Sequence, residues 1–199
     1  SKGITTIIDG AHAPGHIDLD ISQIGCDYYT GACHKWMCAP KGSSFLYVAK
    51  NFQKGMSPQI MSWGEEGDDP GPSQFLMDFQ WQGTKDMSAF LAIPSSIRFL
   101  QKNKWKEKSV ISKNLISHLA GRLKDILGTE SLFKNKNWIG QMISHPLPMD
   151  SPVNLKDMLW NDFKIEVPIF SWGKRNFIRV SAHFYNDQKD MDHLIKALK

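Results

Sequence analysis

Five consecutive β-branched residues, Ile4-Thr5-Thr6-Ile7-Ile8, stand at the head of the chain and are closed by Asp9-Gly10. Branching at Cβ restricts χ1 and favours a pleated strand over a helix. The run does not alternate cleanly between polar and apolar, so it predicts a strand buried on both faces, as in a parallel sheet. A short helix follows over residues 20–24 and stops at Gly25, and Asp27-Tyr28-Tyr29-Thr30 reads as the next strand. Together these make a compact βαβ-like unit. After the turn residues Pro40-Lys41-Gly42, Ser44-Phe45-Leu46-Tyr47-Val48 is a third strand.

Residues 51–82 are rich in Gly, Pro and Met and weakly periodic, which predicts a long irregular region with at most short strands. Irregular stretches of this length usually serve function. Helical spacing returns over 88–100, where Phe90, Leu91, Ile97 and Leu100 can share a buried side and Pro94 kinks or restarts the helix. A second amphipathic helix spans 109–127, with Ile111, Leu115, Leu119, Leu123 and Ile126 on one face and Gly128 as its stop. Segments 139–144 and 165–170 read as strands flanking a helix over 154–162 capped by Asn154. Phe177-Ile178-Arg179-Val180-Ser181 alternates as a half-buried strand does, and a last helix over 187–198 turns Met191, Leu194, Ile195 and Leu198 inward. The back half therefore reads as a separate α+β domain from about Glu107, dividing the chain at 1–106 and 107–199.

Composition supports folded domains. Of the 199 residues 41% are hydrophobic and 22% charged, which argues against disorder. The net charge of +4 is modest, and Lys102, Lys104, Lys106 and Lys108 around Trp105 suit a solvated helix end or linker better than a nucleic-acid patch. No apolar run approaches a membrane span, and Ser1-Lys2-Gly3 does not open like a signal peptide, so a soluble, cytoplasmic protein is expected. Cys26, Cys33 and Cys38, spaced by seven and five, make no zinc knuckle; they read as buried thiols in a reducing compartment, with no metal site.

The chemistry concentrates in Asp9-Gly10-Ala11-His12-Ala13 and His34-Lys35-Trp36. Asp9 alone could simply cap a turn. In open parallel sheets, however, ligands bind outside the carboxyl ends of strands, and here an Asp, two His and a Lys fall at or just beyond two such ends. A lysine beside histidines is placed for a nucleophilic amine, though a surface lysine near a turn has the same pattern.

The stretch from Asp9 to Val48, including Asp9-Gly10-Ala11-His12-Ala13-Pro14-Gly15 and Tyr29-Thr30-Gly31-Ala32-Cys33-His34-Lys35-Trp36, resembles the cofactor-binding core of class V aminotransferases, enzymes dependent on pyridoxal 5'-phosphate (PLP). Lys35 lies 26 positions after Asp9, and Pro40-Lys41-Gly42 before a strand completes the pattern. The resemblance is strongest to the isopenicillin N epimerase-like branch. It implies an α/β fold: the C-terminal part of the PLP-binding large domain, built on a mainly parallel sheet, followed by a small α+β C-terminal domain. It also implies that Lys35 forms the Schiff base with PLP and moves the substrate's α-proton, while Asp9 pairs with the pyridine nitrogen and keeps the ring able to absorb carbanion charge. His12 would sit against the ring and its phenolic oxygen, and His34 would help hold the phosphate. Gly83-Thr84 resembles an element reaching the phosphate of the other subunit's cofactor, which implies a homodimer with a shared active site. Arg179 would grip the α-carboxylate of an amino-acid substrate, a task suited to its planar fork.

The resemblance covers nearly all of this chain but only the C-terminal half of a family member, so the N-terminal half of the same polypeptide is an expected partner. Ala32 stands where relatives often carry a polar side chain. Residues 167–176 hold no cysteine, which disfavours cysteine desulfurase chemistry and leaves epimerisation, elimination and transamination. Trp63, Trp81 and Trp172 suit either a pocket wall or a core or interface. A different class of reading is a non-catalytic truncated paralogue or fragment, serving as a dimerisation or regulatory module.

Overall fold

The β-branched run forms a strand later and shorter than expected, as β1 (Ile7–Asp9). Its start is set by a side-chain clamp. Asp27 Oδ2 accepts from the Thr6 amide at 2.8 Å and the Thr6 hydroxyl at 3.1 Å, and Thr6 Oγ1 accepts from the Asp27 amide at 3.0 Å. The computed structural model describes residues 2–65, 67 and 71–199; Glu66, Asp68, Asp69 and Pro70, within the predicted irregular region, lie outside the described residues, as does Ser1.

Two compact units divide the chain, Ser1–Leu100 and Gln101–Lys199. In the first, β1 leads through α1 (Ile21–Ile24) to β2 (Tyr28–Ala32), followed by β3 (Ser44–Val48), α2 (Lys50–Gln53), α3 (Gln74–Gln80), α4 (Ser88–Leu91) and α5 (Ile93–Lys102), whose last two residues enter the second unit. The strands pair in the order β1-β2-β3, β1 parallel to β2 and β2 antiparallel to β3. Asp20 caps α1 through its Oδ1, which accepts from the Ser22 amide at 3.0 Å.

Burial on both faces of β1 is not found: Ile4 and Ile7 are each 74% exposed. A strand is covered only by its neighbours, and among the described residues β1 pairs with β2 alone. Residues 51–82 also differ from expectation, since two short helices, α2 and α3, stand where at most strands were expected. Phe75, Leu76 and Phe79 carry the three- and four-residue spacing of a helix, Ser73 caps it at the Leu76 amide, and the Phe75 and Phe79 rings meet at 4.8 Å. Pro94 restarts the chain as predicted, dividing α4 from α5 with Pro94 in the first turn of α5. Of the side expected to be buried there, Leu100 is buried, but Leu91 and Ile97 are exposed.

The second unit contains α6 (Trp105–Leu127), β4 (Met142–Pro146), α7 (Leu155–Phe163), β5 (Ile169–Trp172), β6 (Arg175–Ser181) and α8 (Gln188–Ala197). Its sheet has the order β4-β6-β5, antiparallel throughout. Helix α6 begins four residues earlier than the apolar pattern indicates, because the Lys-Glu-Lys stretch that opens it consists of good helix formers. Ile116, Leu119 and Leu123 on α6 pack with Ile143 of β4, Leu159 of α7, Ile178 and Val180 of β6, and Met191, Leu194 and Ile195 of α8. Each such side chain taken from water contributes about 1.5–3 kcal/mol before entropy is counted. Ile111, expected on the buried face, is exposed. Asn154 flanks α7 as predicted but makes no side-chain cap hydrogen bond.

Candidate active site

Parallel pairing of β1 with β2 puts the carboxyl ends of both strands at one edge of the sheet. Asp9 is opposite Thr30, and the ladder continues one step further, with the Gly10 amide donating to Thr30 O at 3.0 Å. Lys35 lies five residues beyond Thr30, on the turn that follows β2. The loops leaving the two strands are packed together. A Cβ on Gly15, which sits at φ +76°, would meet the carbonyl carbon and oxygen of Trp36 at 2.8 Å, so only glycine admits this approach. Chain topology thus brings Asp9, His12, His34 and Lys35 to one edge.

Asp9 is exposed, and its Oδ1 accepts from the Ala11 amide at 3.0 Å, an Asx turn; its Oδ2 makes no hydrogen bond among the described residues. The loop continues as a tight coil, with the Ala13 amide bonded to Gly10 O and the His16 and Ile17 amides to Ala13 O. Lys35 is exposed, and its ammonium has neither a hydrogen-bonding nor an ionic partner among the described residues. Its turn is held by its backbone: the Cys38 amide donates to Lys35 O at 3.2 Å and the Ala39 amide to Cys33 O at 3.1 Å.

His12 and His16 both engage Trp36, which is buried. The Trp36 indole N–H donates to His12 Nδ1 at 3.2 Å, and the His16 ring stacks on the indole at 4.3 Å. His16 Nδ1 in turn donates to His12 O at 3.1 Å, since a carbonyl only accepts. The sequence pattern placed Trp36 beside the lysine without assigning it a task, and because the coil carrying His12 and His16 is not helical, their spacing gave no sign of a shared partner.

His34 Nδ1 lies 2.9 Å from Ser43 O and must be the donor there. The neutral ring therefore carries its lone pair on Nε2, and His34 can donate from Nε2 to an anion only as the imidazolium. Ser43 is fully buried and its carbonyl also accepts from the Cys33 amide at 3.0 Å, so His34 is fastened to the hairpin entering β3.

Beneath these loops lies Tyr29, 2% exposed and stacked against Phe45 with ring centroids at 6.3 Å. Burial first, then the neighbouring Cys26 and Asp9, push its phenol above the ordinary value. Ala32 is buried at the end of β2. Cys26 and Cys33 are buried as expected, and burial pushes the Cys33 thiol up. Cys38 differs: it is exposed, at φ +59° in the turn after Lys35.

Gly83 and Thr84 are exposed, Gly83 at φ +84°. The Ser88 amide at the start of α4 is held not by Thr84 but by Asp86 Oδ1, at 2.9 Å, and hydrogen bonds from Ser88 lower the Asp86 carboxyl. The Thr84 hydroxyl makes no hydrogen bond among the described residues. Trp63, Trp81 and Trp172 are all exposed. In the second unit Arg179 lies on β6 opposite Ser144 of β4, with its amide bonded to Pro168 O at 2.9 Å. Its side chain is half-buried, and its Nε is buried with no hydrogen-bond partner among the described residues.

A family model, Aminotransferase class-V, matches residues 1–194. The chain belongs to the class-V aminotransferase family. Among curated class-V relatives, the isopenicillin N epimerases of Amycolatopsis lactamdurans and Streptomyces clavuligerus are each 34% identical over the whole of this chain, covering 52% and 53% of their own lengths. An L-cysteine desulfhydrase of Arabidopsis thaliana is 25% identical over 96% of the chain and 46% of its own. The chain spans about half the length of the curated relatives it matches. Among solved structures, the apo cysteine desulfurase of Thermococcus onnurineus NA1 superposes with a TM-score of 0.81 at 18% identity, covering 98% of this chain and 51% of its own. C-DES, solved as its K223A mutant with glycine covalently linked to the PLP cofactor, gives 0.76 at 20% identity, with the same coverage. These likenesses show that the chain shares the α/β fold of those proteins over about half of their length.

Proposed function

We propose that this chain supplies the lysine, the ring-nitrogen partner and the carboxylate-binding arginine of a PLP-dependent enzyme that acts on an amino acid by moving its α-proton. The family and its PLP-bearing neighbours indicate pyridoxal phosphate as the cofactor. The residues present fit that group. The observation that carries the reading is the placement of a lysine amine and a carboxylate oxygen, each without a partner among the described residues, at the carboxyl ends of two parallel strands.

Bound PLP supplies an electron sink for the pair left when the α-proton departs. Lys35 would hold the cofactor through its amine, and its Nζ would take up or return the α-proton. Asp9, through Oδ2, would hold the cofactor's ring nitrogen and favour its protonated form. His12 would lie against the ring, and His34, fastened through Nδ1 to Ser43 O, would turn Nε2 to the phosphate. Gly83 and the unengaged Thr84 hydroxyl reach the phosphate of a second protomer, so the working unit is a homodimer that includes the N-terminal half of each polypeptide. Arg179 binds the substrate carboxylate, which gives its orphaned Nε a partner. An epimerase, a lyase and a transaminase share this first proton removal. Sulfur transfer to a protein thiol is not proposed, because the connection between β5 and β6 carries no cysteine.

The test is exchange of the amino-acid α-proton with deuterated water, followed by NMR on the complete protein loaded with PLP. The reading expects exchange that falls by about 10²–10⁴-fold in Lys35→Ala, the range of a positioned acid or base. Equal exchange in both proteins, or none in either across the proteinogenic amino acids, contradicts it.

A further inference from the structure

The contact between Trp36 and His12 decides which nitrogen of His12 carries a proton. An indole N–H is a donor only, so the histidine nitrogen it meets, Nδ1, must present a lone pair. The neutral ring then holds its proton on Nε2. Trp36 is itself immobilised: it is buried, stacked on His16, and closed against Gly15 by backbone contact. His16 adds a second brace, reaching back from the same coil to His12 O. The indole is also the residue next to Lys35, so one rigid side chain joins the lysine turn to the histidine loop.

We infer that Trp36 is a positioning residue that fixes His12 as the Nε2–H tautomer, making His12 a hydrogen-bond donor toward the phenolic oxygen of a bound pyridoxal. This rests on the proposed PLP function only for what His12 faces; the tautomer itself follows from the described contacts. A donor there stabilises the ionised phenolic oxygen, whereas the opposite tautomer would present a lone pair to it and repel it. Trp36 touches no reacting atom in this account, and its effect passes through His12.

The test has two arms. In the first, nitrogen-15 NMR of the cofactor-free protein reads the two nitrogens of His12 directly. The wild type is expected to show Nδ1 as the unprotonated, pyridine-like nitrogen and Nε2 as the protonated one. In Trp36→Phe, which keeps a ring for His16 and removes the donor, the two forms are expected to mix. A wild-type His12 protonated on Nδ1 overturns the inference without any variant, as does an unchanged tautomer in a folded Trp36→Phe protein. In the second arm the complete protein is loaded with PLP, and its visible absorbance is followed against pH. Loss of one charge-assisted hydrogen bond is expected to move the midpoint upward by about one pH unit, a tenfold change. An unmoved midpoint beside a shifted tautomer overturns the link to the phenolic oxygen. A protein that takes up no PLP defeats the functional reading instead, and the first arm still decides the tautomer.

Discussion

Gly10 lies directly against the ring of Tyr29: a Cβ at position 10 would collide with both Cζ and the hydroxyl oxygen of that residue. The tyrosine is buried on β2 and cannot swing into solvent, so its position dictates the residue that follows β1. Gly10→Ala is therefore expected to destabilise the first unit by about 2 kcal/mol or more, the cost of overpacking a fixed site. Chemical denaturation measures it, and Gly10→Ala should cost less in a Tyr29→Leu background than in the wild type, since the nearest atoms that the added Cβ meets all belong to the Tyr29 ring.

Arg179 separates a binding role from a structural one. A buried Nε without a partner costs about 1–3 kcal/mol in the ligand-free protein. Arg179→Leu should thus leave stability unchanged or raise it, while the KM for the amino acid rises at least about tenfold with the lost carboxylate pairing. Steady-state kinetics beside a denaturation curve tests both halves; marked destabilisation with an unchanged KM would assign Arg179 to the fold alone.

His145 makes the second unit sensitive to acid. Its ring is 1% exposed, and its Nε2 faces Thr129 Oγ1 at 3.0 Å. The Thr129 hydroxyl donates to Pro146 O, so the histidine must be the donor and is neutral with its proton on Nε2. Burial holds its basicity below the ordinary histidine value. Above pH 6.5, the ordinary value, the ring is neutral folded and unfolded, and nothing is lost. As pH falls below it, the unfolded chain takes up a proton that the folded chain refuses, so stability declines until the folded value is reached. Urea titrations at pH 7.5 and pH 5.5 should show this decline in the wild type and a smaller one in His145→Gln.

The last helix depends on Asp187. Its Oδ1 accepts from the Lys189 and Asp190 amides at 2.7 and 3.2 Å, and Asp190 Oδ2 answers with the Asp187 amide at 3.2 Å. Asp187→Ala should cost about 1 kcal/mol, read as a lower denaturation midpoint, and Asp187→Ser should restore most of it.

What the sequence made legible follows the range of the forces involved. Strand β3 has the bounds read from its residues, because Pro40-Lys41-Gly42 is a local turn signal; α8 is likewise marked by its own cap and apolar spacing. Strand β1 was legible as a strand but not in its exposure, since burial depends on what pairs beyond its second edge. Helix α3 was hidden by its short length and the Gly- and Pro-rich residues around it, although Phe75 and Phe79 carry its period. At the candidate site, residue types and their order pointed to Asp9, His12, His34 and Lys35. The clasp of Trp36 on His12 is a contact between residues 24 positions apart, and no local pattern announces it.

The central claim is that the amine of Lys35 is the one that binds pyridoxal. Borohydride reduction of the PLP-loaded complete protein, followed by peptide mapping, asks this directly. The account predicts one phosphopyridoxyl group per chain, on the peptide containing Lys35, and none in Lys35→Arg; a label on any other lysine, or no label in a protein that is yellow before reduction, would contradict it.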